Sequence, residues 1–114
     1  MGGFVELLPK QYFDGFMSTT MYTNVVDAGS AAGANLQGIL DAASSGTFLM
    51  QPQHSNVNED ATFVDLGSNV QITGSATTNF GNYSQFGRYL RVKVVTSGGA
   101  AGYLRVLLVL KDSN

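Results

Sequence analysis

The sequence predicts an all-β fold, a single antiparallel β-sandwich domain over residues 1–114 that closes on a C-terminal β-hairpin. Three observations carry this expectation. Two segments near the C-terminus alternate apolar and polar residues with the period of two that belongs to strands. Upstream, short apolar runs recur between clusters of Gly, Asn, Asp and Ser at spacings of roughly 8–12 residues. Only 35–43 carries helical spacing, and Gly38 interrupts it.

Residues 1–34 are the least patterned and read as an N-terminal arm or as edge strands. Phe4–Leu8 and Met21–Val26 are expected strands around a turn at Asp14-Gly15, and Gly29–Gly33 is a small-residue connector. In 35–43, Leu36, Ile39, Leu40 and Ala43 have helical spacing behind a possible Asn35 cap. Gly38 weakens a helix by about 1 kcal/mol, so a strand is preferred. Thr47–His54 is a strand in which Pro52 suggests an edge position or a bulge, because proline cannot donate to a ladder. Ser55–Asp60 is a polar loop, Thr62–Leu66 and Val70–Thr73 are short strands, and Ser75–Gln85 reads as a long surface loop.

The C-terminal third is the clearest. In Arg88–Val95, Leu90, Val92 and Val94 share one face. Thr96–Gly102 is turn chemistry, and Tyr103–Lys111 turns Leu104, Val106, Leu108 and Leu110 inward as the partner strand. The opposite face of that last strand reads Tyr103, Arg105, Leu107, Val109, Lys111, mixing apolar side chains with bases. A solvated sheet face is plainly polar, so a further segment of the chain or another subunit is expected to cover this one. Tyr103, Arg105, Leu107 and Val109 are therefore candidate contacts, and Phe80 and Tyr83 join them from the aromatic stretch upstream.

Composition narrows the function classes. Charged residues make up only 12%, against a usual share of about 25%. Such a surface suits secreted, adhesive or virion β-proteins and chains that bury much of their outside in an assembly. There is no cysteine, which removes disulfides and thiolate metal sites. No basic start followed by an apolar run marks a leader, and no apolar run approaches the roughly 20 residues of a membrane helix. A soluble protein made in the cytoplasm, with no membrane partner, is expected. The net charge of −2 divides unevenly: residues 1–87 hold one base and seven acids, residues 88–114 five bases and one acid. Either these charges meet inside one fold, or they make a bipolar surface that orients copies against one another. Five bases on a net-acidic chain are too few for a nucleic-acid footprint.

No residue pattern carries catalysis, and no cofactor is expected. His54 is the only histidine, with Ser55 beside it and Asp60 in the following loop. That spacing matches no nucleophile–base–orienter arrangement, so His54 is read as a strand-end side chain bonded to its loop. Asn56, Asn58, Glu59, Asp60 and Asp65 are oxygen ligands of the type calcium takes, yet their spacing is irregular, and Asn and Asp favour turns for backbone reasons. Gly98-Gly99 precedes no helix and so cannot cradle a phosphate. Phe80, Tyr83, Phe86 and Tyr89, interleaved with Asn79, Asn82 and Gln85, are either an aromatic platform for sugar rings or loop anchors that pack on the core.

From Thr47 onward the chain resembles small virion proteins of tailed bacteriophages. The resemblance rests on Leu49–Asp60 as strand and polar loop, on Val64-Asp65-Leu66-Gly67, on Phe86–Val94, and on the close at Val109-Leu110-Lys111-Asp112. It departs from those proteins in the polar loop: Asn58-Glu59-Asp60 stands where an Asp-Gly turn is usual, with Phe63 near the position of a tryptophan. The resemblance implies a sandwich of jelly-roll or immunoglobulin-like type. It also implies a capsid decoration or cement protein on the virion surface, a homotrimer that binds the major capsid protein or another virion protein and clamps neighbouring capsomers. A tail or baseplate accessory and a carbohydrate-binding β-sandwich module are the alternatives.

Overall fold

The computed structural model describes residues 4–14, 20–29, 31–41, 46–97 and 99–111, with the side chains of Phe4 and Asp14 left aside. Gly15 of the expected first turn, Ser30 of the connector, Ala42 and Ala43, Gly98 and Asp112 lie outside these residues. Ten strands run in chain order: β1 (Phe4–Asp14), β2 (Thr20–Tyr22), β3 (Val26–Asp27), β4 (Gly33–Asp41), β5 (Thr47–Ser55), β6 (Val64–Asp65), β7 (Val70–Ile72), β8 (Ala76–Tyr83), β9 (Tyr89–Ser97) and β10 (Ala101–Lys111). A 3-10 turn at Asp60–Thr62 lies between β5 and β6. The molecule is an all-β antiparallel sandwich, as the alternation predicts.

Sheet I has the order β1-β10-β4-β8, and sheet II the order β2-β9-β5-β6, with β3 also on β9 and β7 also on β5. All pairings are antiparallel. The core lies between the sheets. Leu36, Leu40, Leu104, Val106 and Leu108 of sheet I meet Phe48, Met50, Leu90, Val92 and Val94 of sheet II, all essentially without solvent contact. Phe13 packs edge-to-face on Phe48 with ring centroids 5.2 Å apart, in the tilted geometry that aromatic quadrupoles prefer. In β1 a register shift between Glu6 and Leu8 lets consecutive Leu7 and Leu8 both turn inward, which a regular pleat forbids.

The C-terminal strands correct one expectation. β9 and β10 follow one another in the chain, but they lie in different sheets. β9 pairs with β5, β2 and β3, whereas β10 pairs with β1 and β4. Alternation states which side chains turn inward and is silent about the partner. Leu90, Val92 and Val94 face Leu104, Val106 and Leu108 across the core, and strands that face each other stand in opposite layers about 10 Å apart. The chain therefore leaves one sheet at Ser97 and is in the other from Ala101.

Other local features have identifiable causes. The described part of the 35–43 segment belongs to strand β4 (Gly33–Asp41), as preferred. Gly38 lies on its core face, where a Cβ would come within 2.9 Å of Met50 Sδ from the other sheet. The glycine makes room for Met50. The long loop expected over Ser75–Gln85 is mostly strand, β8, at the edge of sheet I. Its Thr and Asn content reflects a solvated face, and Gly81 at φ +111 absorbs the bulge opposite Leu36 and Gln37. Pro52 sits in β5, which has neighbours on both sides, and not in an edge strand. Its carbonyl accepts from Leu66 N, so its missing N–H points the same way, into the break between β6 and β7.

The segment expected as one strand at 21–26 is two, β2 and β3. Thr23 bridges them by giving and receiving bonds with the Val92 backbone, and Asn24 N donates to Leu7 O of the other sheet.

Candidate functional site

The two outer faces of the sandwich are built differently. On sheet II the 56–63 loop folds back over one end of the face, at Arg91 and Ser55. Arg91, on the outer face of β9, is only 6% exposed. Its guanidinium lies 4.1 Å from the Tyr22 ring centroid and 4.2 Å from that of Phe63. Arg91 Nε donates to Gln53 Oε1 at 2.9 Å and Nη1 to Asp60 Oδ1. The loop itself is tied by Thr62, whose hydroxyl is 2.7 Å from Ser55 Oγ and donates to the carbonyls of Val57 and Glu59.

Sheet I has no such cover among the described residues. Its middle strand, β10, turns Tyr103, Arg105, Leu107 and Val109 outward, so the four sequence candidates on this strand do share one face. β1 adds Glu6 and Tyr12, which pair with Leu107 and Tyr103, and β4 adds Ile39 opposite Arg105. Tyr12 is 57% exposed, and Tyr103 and Val109 are 39% exposed. The Tyr12 and Tyr103 rings lie 5.0 Å apart, and Lys10 Nζ stands 5.1 Å from the Tyr103 centroid. Arg105 is held by Glu6 at 3.2 Å. The result is an apolar and aromatic band with its central cation already paired.

Phe80 and Tyr83 do not join this band. They pack half-buried against the core from β8, together with Phe86, as the loop-anchor reading of these aromatics holds for the two phenylalanines. Burial raises the Tyr83 phenol above its ordinary value. Tyr12, Ile39 and Lys10 escaped sequence reasoning. The Tyr12–Tyr103 pairing joins positions at opposite ends of the chain, which no local pattern reports.

The charge asymmetry is met inside the fold. Arg88 pairs with Asp27, Arg91 with Asp60 and Arg105 with Glu6, each a C-terminal base on an upstream acid. Hydrogen bonding from Arg88, helped by the Gly29 amide, holds the Asp27 carboxyl below the usual range. This pair is open to solvent and adds little stability.

His54 accepts a 2.8 Å bond from Gly87 N through Nδ1, a strand-end histidine tied to a loop. A cleft of 640 Å³ opens beside it, lined by Ser55, Asn56, Thr62, Gln85 and Phe86 among others. Of the acids weighed as calcium ligands, Asp60 is engaged by Arg91 and Asp65 accepts from Gln53 Nε2 at 3.1 Å. Among the described residues no three metal-ligating side chains gather, and no helix is long and apolar enough to cross a membrane. Comparison with protein-family models, with curated proteins and with solved structures finds no match.

Proposed function

We propose that this chain is an oligomeric structural protein of the capsid-decoration type, acting by cohesion through the outer face of sheet I. The observation that carries this reading is the bare band of Tyr12, Tyr103, Ile39, Leu107 and Val109. Exposed apolar patches mark interaction sites, and on the opposite face of this same sandwich the 56–63 loop folds over Arg91. Leu107 is already partly buried and Val109 is 39% exposed, so covering them gains only a fraction of the roughly 1.5–3 kcal/mol that full burial of such a side chain is worth, repeated in every subunit. The virion setting, the trimeric arity and the capsid partner rest on the resemblance described above.

Sedimentation velocity of the wild type and of Leu107→Lys at micromolar concentration tests the reading. The wild type is expected to associate, and the variant to give folded, smaller species. A monomeric wild type defeats the proposal. Electron microscopy of the native assembly then decides the setting, since absence from the particle surface rules out decoration. A second reading, a carbohydrate-binding module, draws on the cleft at His54, Asn56, Gln85 and Phe86, whose lining offers amides, hydroxyls and one aromatic face. Monomeric protein with measurable glycan affinity would favour it.

A further inference from the structure

We infer that the free edge of β8 is a second association seam, at which two copies of this chain pair β8 to β8 around a two-fold axis and join their four-stranded sheets into one. The observation is a contrast among the sheet edges. An edge strand offers unpaired N–H and C=O groups to any passing strand, and proteins suppress this with short strands, prolines, charges and bulges. Sheet II ends on one side in β2 and β3 and on the other in β6 and β7, each of two or three residues. The outer strand of sheet I on the far side, β1, carries Pro9, Lys10 and Glu6 and two register shifts.

β8 has almost none of this. It is eight residues long, Ala-Thr-Thr-Asn-Phe-Gly-Asn-Tyr, with no charge and no proline, and among the described residues it pairs only with β4. Its single protective feature is the bulge at Gly81, near one end.

The occupant follows from the chemistry of the strand. Two-fold antiparallel pairing sets residues near the strand centre against themselves, so a charged edge would oppose like charges. An uncharged Thr/Asn edge pairs with its own copy without that cost. The seam also has some apolar area left to bury: Phe80 and Tyr83 are only partly buried at the margin of the core beside this edge. At about 3.4 Å per residue the seam is about 27 Å long. One strand pair of that length is at the small end of specific interfaces, so the dimer is weak and dependent on concentration.

This seam is independent of the sheet face and is tested with the face contact removed. Full-length Leu107→Lys protein is followed by sedimentation velocity and by backbone-amide hydrogen exchange from micromolar to millimolar concentration. The expected result is a monomer–dimer equilibrium in which alternate β8 amides, those pointing away from β4, slow by at least about tenfold as dimer forms. Thr78→Lys, an inward-pointing charge at the margin, should return the protein to a monomer. Should that variant fail to fold, the exchange measurement decides alone. A protein monomeric throughout overturns the inference, as does a dimer whose outward β8 amides exchange like an open strand. Outward amides already protected in the monomer also overturn it, because the chain itself or another segment would then cover the edge.

Discussion

Arg91 shows how one residue holds a whole loop. It lies between the Tyr22 and Phe63 rings and bonds Gln53 and Asp60, and its near-complete burial makes those contacts stronger than exposed ones. Arg91→Ala is expected to cost about 2–4 kcal/mol, from two cation–π contacts and the lost charge-assisted bonds. Urea unfolding measures this. Arg91→Lys should recover less than half, since an ammonium cannot stack as a plane on two rings or fork to two acceptors. Full recovery by lysine would mean that charge alone matters. Tyr83 gives a pH prediction. Its phenol pKa is raised by burial, so the unfolded chain loses that proton at a lower pH than the folded one. Stability therefore falls as pH rises past the ordinary tyrosine value of about 10. Tyr83→Phe should flatten that alkaline limb in melts taken across the range and leave neutral-pH behaviour nearly unchanged.

At the scale of elements, the sequence was legible wherever alternation was long. β9 and β10, and the inward sets Leu90, Val92, Val94 and Leu104, Val106, Leu108, follow directly from period two. Pairing was not legible, because the same pattern serves a hairpin and two strands in opposite sheets. β8 was hidden for a related reason: an edge strand with a solvated face and an open side needs few apolar residues, so Thr77, Thr78, Asn79 and Asn82 resemble a loop. Arg91 falls on the face opposite Leu90, Val92 and Val94, and nothing in its own strand announces that the 56–63 loop folds over it. Two glycines separate soft from hard packing constraints between elements. At Gly38 a Cβ meets the flexible Met50 side chain at 2.9 Å. At Gly46, with φ +79, it collides with backbone, namely Ala100 N and Ser97 O. Gly38→Ala should therefore cost about 1–3 kcal/mol as Met50 shifts. Gly46→Ala should cost more, because neither the backbone at Ser97 and Ala100 nor the positive φ can relax cheaply. Equal melting temperatures for the two variants would contradict this account.

For the whole molecule, the decisive fact is where the charges go. A chain with acids upstream and bases downstream invites the idea that copies attract one another head to tail. Here Asp27, Asp60 and Glu6 already hold Arg88, Arg91 and Arg105 within one copy. In particular, Arg105 stands in the middle of the candidate face and is paired there, so it has little unmet charge to offer a neighbour's acids. What the face presents instead is the area of Tyr12, Tyr103, Leu107 and Val109. Association across it should therefore respond to salt as apolar burial does. Charge-driven contacts between exposed groups fade as the screening length falls from about 10 Å at 0.1 M to about 3 Å at 1 M, whereas apolar burial is kept or strengthened by sulfate. Sedimentation equilibrium at low salt, in 1 M sodium chloride and in sodium sulfate distinguishes the two. The association constant is expected to change less than about tenfold in chloride and to rise in sulfate. A steep fall in both salts would return the interface to the charges, with the Glu6–Arg105 pair opening to exchange partners between copies.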